Sequence, residues 1–193
     1  MPFNLPIFLT WLRIVLIPLL VGVYYLPADW LTLHERNLWA TLIFMIAGLT
    51  DWFDGYLARA LNQTSAFGAF LDPVADKLMV SVALIMLVQL DRSNAIIASI
   101  IIGREITISA LREWMAKIGA ARSVAVSMLG KIKTATQMLA IPLLLFKEPV
   151  LGVDALWLGT WLIYIAAVLT LWSMGYYLRM AWPQIVARSG DQG

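Results

Sequence analysis

The chain has 193 residues, of which 61% are hydrophobic and 13% charged, with a net charge of +2 and a mean hydropathy of +0.81. Soluble domains run at roughly 45–50% apolar and 25% charged, so a sizeable water-soluble domain is excluded and an all-α, multi-span membrane protein is predicted. With no cysteine and a single histidine, His34, the chain also excludes disulfides, iron–sulfur ligation, thiol catalysis and an imidazole-rich zinc site.

At about 20 residues per span there is room for roughly five to seven spans. The first apolar run, Leu5–Leu26, is too long for the core of a signal peptide and lacks a small-residue cleavage pattern, so it is expected to be a retained span. Leu38–Leu61, Gly68–Leu90, Asn94–Lys117, Val124–Phe146 and Ala155–Met180 follow, joined by short polar or Pro/Gly-bearing connections. A polytopic bundle of six transmembrane helices is the predicted fold. Residues 1–186 are expected to form one membrane domain and 187–193 a short polar tail. No nucleic-acid partner is expected. Six spans put both termini on one side. Most Lys and Arg residues then share that side, and only Arg36, Arg92 and Lys147 lie in the opposite connections, which places the termini inside by the positive-inside rule. Trp30, Trp39, Trp157 and Trp161 at the outer ends, and Trp114, Trp172 and Trp182 towards the inner ones, fit aromatic belts.

Within this apolar frame, the stretch DWFDGYLARALNQTSAFGAFLDPVAD, residues 51–76, holds four aspartates. Asp51 and Asp54 are three apart and Asp72 and Asp76 four apart, so each pair projects from one face of its own helix. The second span runs inward and the third starts on that inner side. The two faces therefore sit at similar depth, about 6–15 Å from the shared end at 1.5 Å per residue, and the four carboxylates can converge. Four central aspartates cost on the order of ten kcal/mol on the insertion scale, as much as a typical protein's whole stability, so the cluster needs cations. Arg59 and Lys77 are candidates. An all-oxygen set also suits a hard divalent ion, Mg²⁺ before Mn²⁺ or Ca²⁺, bound singly or as a pair about 3.5–4 Å apart. Gly55, Ala58 and Gly68 keep their helix faces low, either for packing or for the approach of a ligand group. Pro73 disfavours helix at Asp72, so the third span either starts there with Asp72 as N-cap or is kinked. The sequon Asn62-Gln63-Thr64 falls on the inner side and is discounted.

The pattern Asp51-x2-Asp54-Gly55-x2-Ala58-Arg59-x8-Gly68-x3-Asp72-x3-Asp76 resembles, at every fixed position, the signature of the CDP-alcohol phosphotransferase family. The resemblance implies a six-helix membrane enzyme, usually a homodimer, that binds a CDP-linked donor over a di-metal aspartate site open to the cytoplasm. An acceptor hydroxyl attacks the β-phosphate and CMP leaves. FNLPIFLTWLRI at the start, REITISALREW at 104–114 and SVAVSMLGKIKTATQM at 123–138 are similar to the bacterial branch whose donor is CDP-diacylglycerol and whose acceptor is sn-glycerol 3-phosphate. That likeness implies the bacterial cytoplasmic (inner) membrane. It also implies that Asp51, Asp54 and Asp72 are metal ligands for two Mg²⁺ ions, with Mn²⁺ as an alternative. Asp76 is implied as a shared ligand that takes the proton from the acceptor hydroxyl. Gly55, Ala58, Arg59 and Gly68 are implied to form the donor site, the glycines giving room for the cytidine and Arg59 meeting the diphosphate through its planar fork.

The acceptor brings its own phosphate dianion, so a second cationic site is expected among Arg104, Arg112, Lys131, Lys133, Thr10 and Arg13. Arg104 leads, because it lies more than three turns inside a helix where a merely topogenic charge would be expensive. Arg112, Lys131 and Lys133 have an alternative as inner-face charges or contacts to anionic lipids, and Thr10 and Arg13 as a headgroup anchor. Glu105 and Glu113 are expected to orient the arginines. On the residues alone, serine and inositol phosphate stay open as acceptors: the cationic cluster argues for a phosphorylated polyol, and only the resemblance selects glycerol phosphate. From a different class, a divalent-cation transport path is disfavoured, because the carboxylates are bunched near one face beside Arg59 instead of spread through the membrane.

Overall fold

The computed structural model describes residues 5–60, 66–120, 128–150 and 152–189; within its helices, the side chains of residues 5–7, 52, 54–60, 66, 67, 69, 129 and 187–189 lie outside the description. Among the described residues, six helices follow one another: α1 Leu5–Tyr25, α2 Leu33–Ala60, α3 Ala66–Gln89, α4 Ala95–Lys117, α5 Met128–Phe146 and α6 Ala155–Ser189. The same residues hold no strand, only a bridge between Val150 and Val153. The sequon at 62–64 and the stretch from Val124 to Ser127 fall outside them.

Local chemistry sets most of the helix ends. α2 starts earlier than its apolar segment because Thr32 and Glu35 form a capping box: the Thr32 amide donates to Glu35 Oε2 at 2.7 Å and the Glu35 amide to Thr32 Oγ1 at 3.3 Å. These donors hold the Glu35 carboxyl below the usual carboxylate range. Asn94 caps α4 by accepting from the Ile96 amide at 2.7 Å, and Asp154 caps α6 by accepting from the Trp157 amide at 3.1 Å. α3 closes in a Schellman motif, with Arg92 N–H to Leu87 O at 2.8 Å and Asp91 N–H to Val88 O at 3.1 Å. Asp91 takes the left-handed position there, at φ 54°, and Gly119 does so after α4, at φ 77°. Of the two readings open at Pro73, the start is excluded: α3 begins at Ala66 and passes through Pro73, so Asp72 is no N-cap. One sequence expectation is corrected. α6 runs past Met180 and through Pro183 to Ser189.

The bundle is apolar inside and out. Leu20, Phe44, Leu84, Leu87, Ile101 and Leu144 are fully buried in one core cluster, while Leu19, Ile46, Ile85, Ile96, Leu139 and Val168 are exposed on the outer surface. A helix with apolar residues on every side is one that lies within lipid or within a large core. Among the described residues, Phe8–Tyr25 in α1 and Ala155–Val186 in α6 are long and apolar enough to cross a membrane by themselves. The other four helices carry most of the Asp, Glu, Lys and Arg side chains of the polar end, which Arg13 of α1 joins.

α1 packs on α2 and α3, α5 lies along α6 and also meets α2, and α4 rests on α6 and α3. The α5–α6 contact is close at Gly159, where a Cβ would lie 2.9 Å from Leu144 Cγ and 3.2 Å from Leu143 Cβ. At the end holding the α3–α4 connection, Arg92 is buried. Its Nη1 donates to Leu145 O at 2.6 Å and Leu144 O at 3.2 Å, and its Nη2 to Asn37 Oδ1 at 2.7 Å. A guanidinium on the last carbonyls of α5 satisfies groups that the helix leaves open. Arg92 is therefore a tie between α2, α5 and the α3–α4 connection. These contacts give a packing reason for an arginine in that connection.

Candidate active site

The polar side chains converge at the opposite end. Asp51 from α2, Asp72, Pro73, Asp76 and Lys77 from α3, Arg104, Glu105 and Arg112 from α4, and Gly130 and Thr134 from α5 line one cavity of about 430 Å³. The spacings explain the shared face: Asp72 and Asp76 are one turn apart on α3, Gly130 and Thr134 one turn apart on α5, and Arg104 and Arg112 about two turns apart on α4. A larger groove of about 850 Å³ between α3 and α4 shares Pro73, Lys77, Arg104, Glu105 and Arg112 with this cavity, and adds apolar walls from Phe70, Val74, Leu78 and Ile106.

The carboxylate side is held from α1. Arg13, fully buried, pairs with Asp51 at 2.9 Å, and the Thr10 hydroxyl donates to Asp72. Neither Thr10 nor Arg13 lines the cavity. The cationic side is organised by Glu105, which accepts from the buried Lys133 ammonium and from Arg104 Nη1 at 3.3 Å. Arg104 Nη2 also donates to Ser173 Oγ of α6 at 2.9 Å, and Arg112 Nη2 to the Tyr177 hydroxyl at 3.1 Å. The buried Nε atoms of Arg104 and Arg112 have no hydrogen-bond partner among the described residues. Buried guanidinium donors of that kind suit an anion with several acceptor oxygens.

Of the residues singled out in the sequence, Asp51, Asp72, Asp76, Arg104 and Arg112 share the cavity, Lys133 lies just behind it, and Lys131 is exposed away from it. Gly68 is buried. Asp54, Gly55, Ala58 and Arg59 sit on the last turns of α2, and their side chains lie outside the description. Glu105 meets an arginine as expected, whereas among the described residues Glu113 does not. It pairs with Lys117 one turn away at 2.8 Å, and both are exposed. Thr134, Gly130, Ser173 and Tyr177 were not anticipated as site residues. Thr170, Ser173 and Tyr177 recur at helical spacing along one face of an apolar run, a pattern that could have pointed to them.

The donor chemistry fits a hard divalent cation: carboxylate oxygens from two facing helices, with no Cys or His in competition. Among the described residues, no three His, Cys, Asp or Glu side chains are gathered as a metal cluster. A carboxylate has about four lone-pair sites, so the contacts of Asp51 to Arg13 and of Asp72 to Thr10 leave oxygen capacity for an ion.

Carboxylates of α2 and α3 facing the guanidiniums of α4, within an apolar bundle, define an enzyme of phosphoryl transfer built among lipid-compatible helices. Residues 3–172 match the CDP-alcohol phosphatidyltransferase family, and the chain belongs to it. It is 50% identical over 183 residues, 94% of this chain and 96% of the relative, to proteins named CDP-diacylglycerol–glycerol-3-phosphate 3-phosphatidyltransferase from Salmonella choleraesuis (strain SC-B67), Shigella flexneri and Escherichia coli (strain K12).

Proposed function

We propose that this chain transfers the phosphatidyl group of CDP-diacylglycerol to sn-glycerol 3-phosphate, giving phosphatidylglycerophosphate and CMP. The observation that carries the reading is the single cavity in which Asp51, Asp72 and Asp76 face Arg104 and Arg112, in a chain half-identical over nearly its whole length to proteins bearing that name. Asp51, Asp54, Asp72 and Asp76 hold Mg²⁺, with Mn²⁺ as a substitute and two ions as the expected stoichiometry. When bound, the metal supplies neutralisation of the diphosphate charge and a lowered pKa for the acceptor hydroxyl. Arg13 and Thr10 keep Asp51 and Asp72 turned towards the cavity.

The acceptor oxygen attacks the β-phosphorus, the bond from that phosphorus to the bridging oxygen breaks, and CMP departs with the bridging oxygen. Asp76 receives the hydroxyl proton. Gly55, Ala58, Arg59 and Gly68 hold the cytidine diphosphate head. Arg104 and Arg112 bind the phosphate of the acceptor, with Lys133 behind them sustaining the positive potential. Lys131, exposed on α5, meets anionic headgroups instead.

All six helices cross the bilayer, with both termini and the cavity on the cytoplasmic side of a bacterial inner membrane, and two chains associate as a homodimer. Support for the crossing comes from helices of 19 to 35 residues with exposed apolar surfaces, against the roughly 20 residues that a span requires. The deciding experiment is CMP release by the purified chain with CDP-diacylglycerol and Mg²⁺, comparing glycerol 3-phosphate, serine and inositol phosphate as acceptors. Release with glycerol 3-phosphate alone, abolished by EDTA and restored by Mg²⁺, is expected. Release with a different acceptor would overturn the substrate assignment, and EDTA-resistant release would overturn the metal.

A further inference from the structure

No described residue of α6 lines the cavity, yet the helix supplies a hydrogen-bond acceptor to each arginine of the cationic side. Tyr177 is fully buried. Its ring centroid lies 5.0 Å from the Arg112 guanidinium carbon and 5.7 Å from that of Arg104, so one aromatic ring serves both cations. Its hydroxyl accepts from Arg112 Nη2 at 3.1 Å. One turn earlier, Ser173 Oγ accepts from Arg104 Nη2 at 2.9 Å and donates to the Thr170 carbonyl at 3.0 Å, and Ser173 and Thr170 are themselves fully buried.

Two like charges held beside each other repel, and long side chains carry about 2 kcal/mol of rotamer entropy each, so a pair of arginines does not keep a fixed spacing unaided. A shared ring opposes both effects: its negative face attracts the two guanidiniums, and the hydroxyl and Ser173 each fix one rotamer. Each arginine keeps further N–H donors beyond these contacts, among them a buried Nε without a partner among the described residues.

We infer that Tyr177, assisted by Ser173, is a positioning residue that sets the spacing and orientation of Arg104 and Arg112 and thereby the affinity for the acceptor phosphate. The inference rests on the proposed role of those two arginines. Tyr177 touches neither substrate, and it acts through the cations. Its signature is an effect on the acceptor that the lipid donor does not share.

The test uses the full chain in detergent micelles and compares Tyr177→Phe, Tyr177→Leu, Ser173→Ala, Arg112→Ala and the double variant Tyr177→Leu/Arg112→Ala. For each, the KM for glycerol 3-phosphate and for CDP-diacylglycerol is measured separately, together with the unfolding temperature. Tyr177→Phe keeps the ring and is expected to raise the acceptor KM about threefold through loss of one hydrogen bond to a charged group, whereas Tyr177→Leu is expected to raise it about tenfold or more. The donor KM should stay within about twofold in both. In the Arg112→Ala background the Tyr177→Leu effect should shrink, because the variants then remove parts of one unit. Tyr177→Phe leaves the packing intact and so keeps the test open even where Tyr177→Leu fails to fold. Equal effects on the two KM values, or full additivity with Arg112→Ala, would overturn the positioning role while an acceptor-selective Arg112→Ala keeps the arginines in place. An Arg112→Ala variant with an unchanged acceptor KM would remove the underlying reading and the inference together.

Discussion

Glu105 stands between two buried cations, and the variant Glu105→Gln isolates what its charge does. Lys133 is 2% exposed and Arg104 7%, and Glu105 is the carboxylate each of them meets. Removing one partner of a buried ion pair costs about 3–5 kcal/mol, because the remaining charge stays buried without compensation. Glu105 is itself 21% exposed, so water screens part of the loss and the lower end, about 3 kcal/mol, applies. For a chain of this size 1 kcal/mol corresponds to about 2–4 °C, which gives a fall of about 6–12 °C in unfolding temperature. Glycerol 3-phosphate returns negative charge to the same place. At one fixed concentration it should therefore stabilise the variant more than the native chain, whose own gain is about 2.7 kcal/mol at a hundredfold excess over Kd. The assay is thermal unfolding in detergent followed by tryptophan fluorescence, with and without the ligand. An unfolding temperature within about 2 °C of native, or equal ligand shifts in the two proteins, would refute the electrostatic account of Glu105.

Asp76→Asn should lower CMP release by at least about a hundredfold, the range of a lost general base, with no fall in unfolding temperature; substantial turnover would remove Asp76 as the proton acceptor. Arg92→Ala leaves the Leu144 and Leu145 carbonyls and the Asn37 amide oxygen short of a donor. It should cost about 3 kcal/mol or more in stability while turnover per folded molecule is unchanged, as measured by thermal unfolding beside a CMP assay at low temperature. Gly159→Ala would drive a Cβ into Leu144 and Leu143 and should destabilise by about 1–3 kcal/mol, whereas Gly48→Ala, which meets only the mobile Met138 Cε, should cost less.

The six apolar segments were legible because long apolar helices are written as composition over long windows, and the helices begin or end within a few residues of most of them. Where the reading fell short, local hydrogen bonding had decided. The capping box at Thr32 lengthened α2 into a polar stretch. At Pro73 the sequence left a start and a kink open, and α3 runs through it from Ala66. The spacing of Asp72 and Asp76 put them on one face of α3, where both line the cavity with Asp51, while the Asp54 side chain lies outside the described residues. Sequence could not show which cations meet which anions. Thr10 and Arg13 resembled candidates for a phosphate, but their placement on α1 brings them to Asp72 and Asp51. Nor could composition distinguish Glu113, paired along its own helix with Lys117, from Glu105, which reaches across to α5.

Gly159 and Tyr177 lie about five turns of α6 apart, a whole number at 3.6 residues per turn, so they point in the same direction from the helix axis. The contact that lets α5 approach near one end of the bundle thus fixes the azimuth of the ring near the other. A single residue inserted between them would turn Tyr177 by about 100° and carry it out of phase with Arg104 and Arg112, with every side chain of the cavity unaltered. Length, and not only identity, therefore matters to that helix: α6 behaves as a crankshaft, in which seating at one journal times the position of the other.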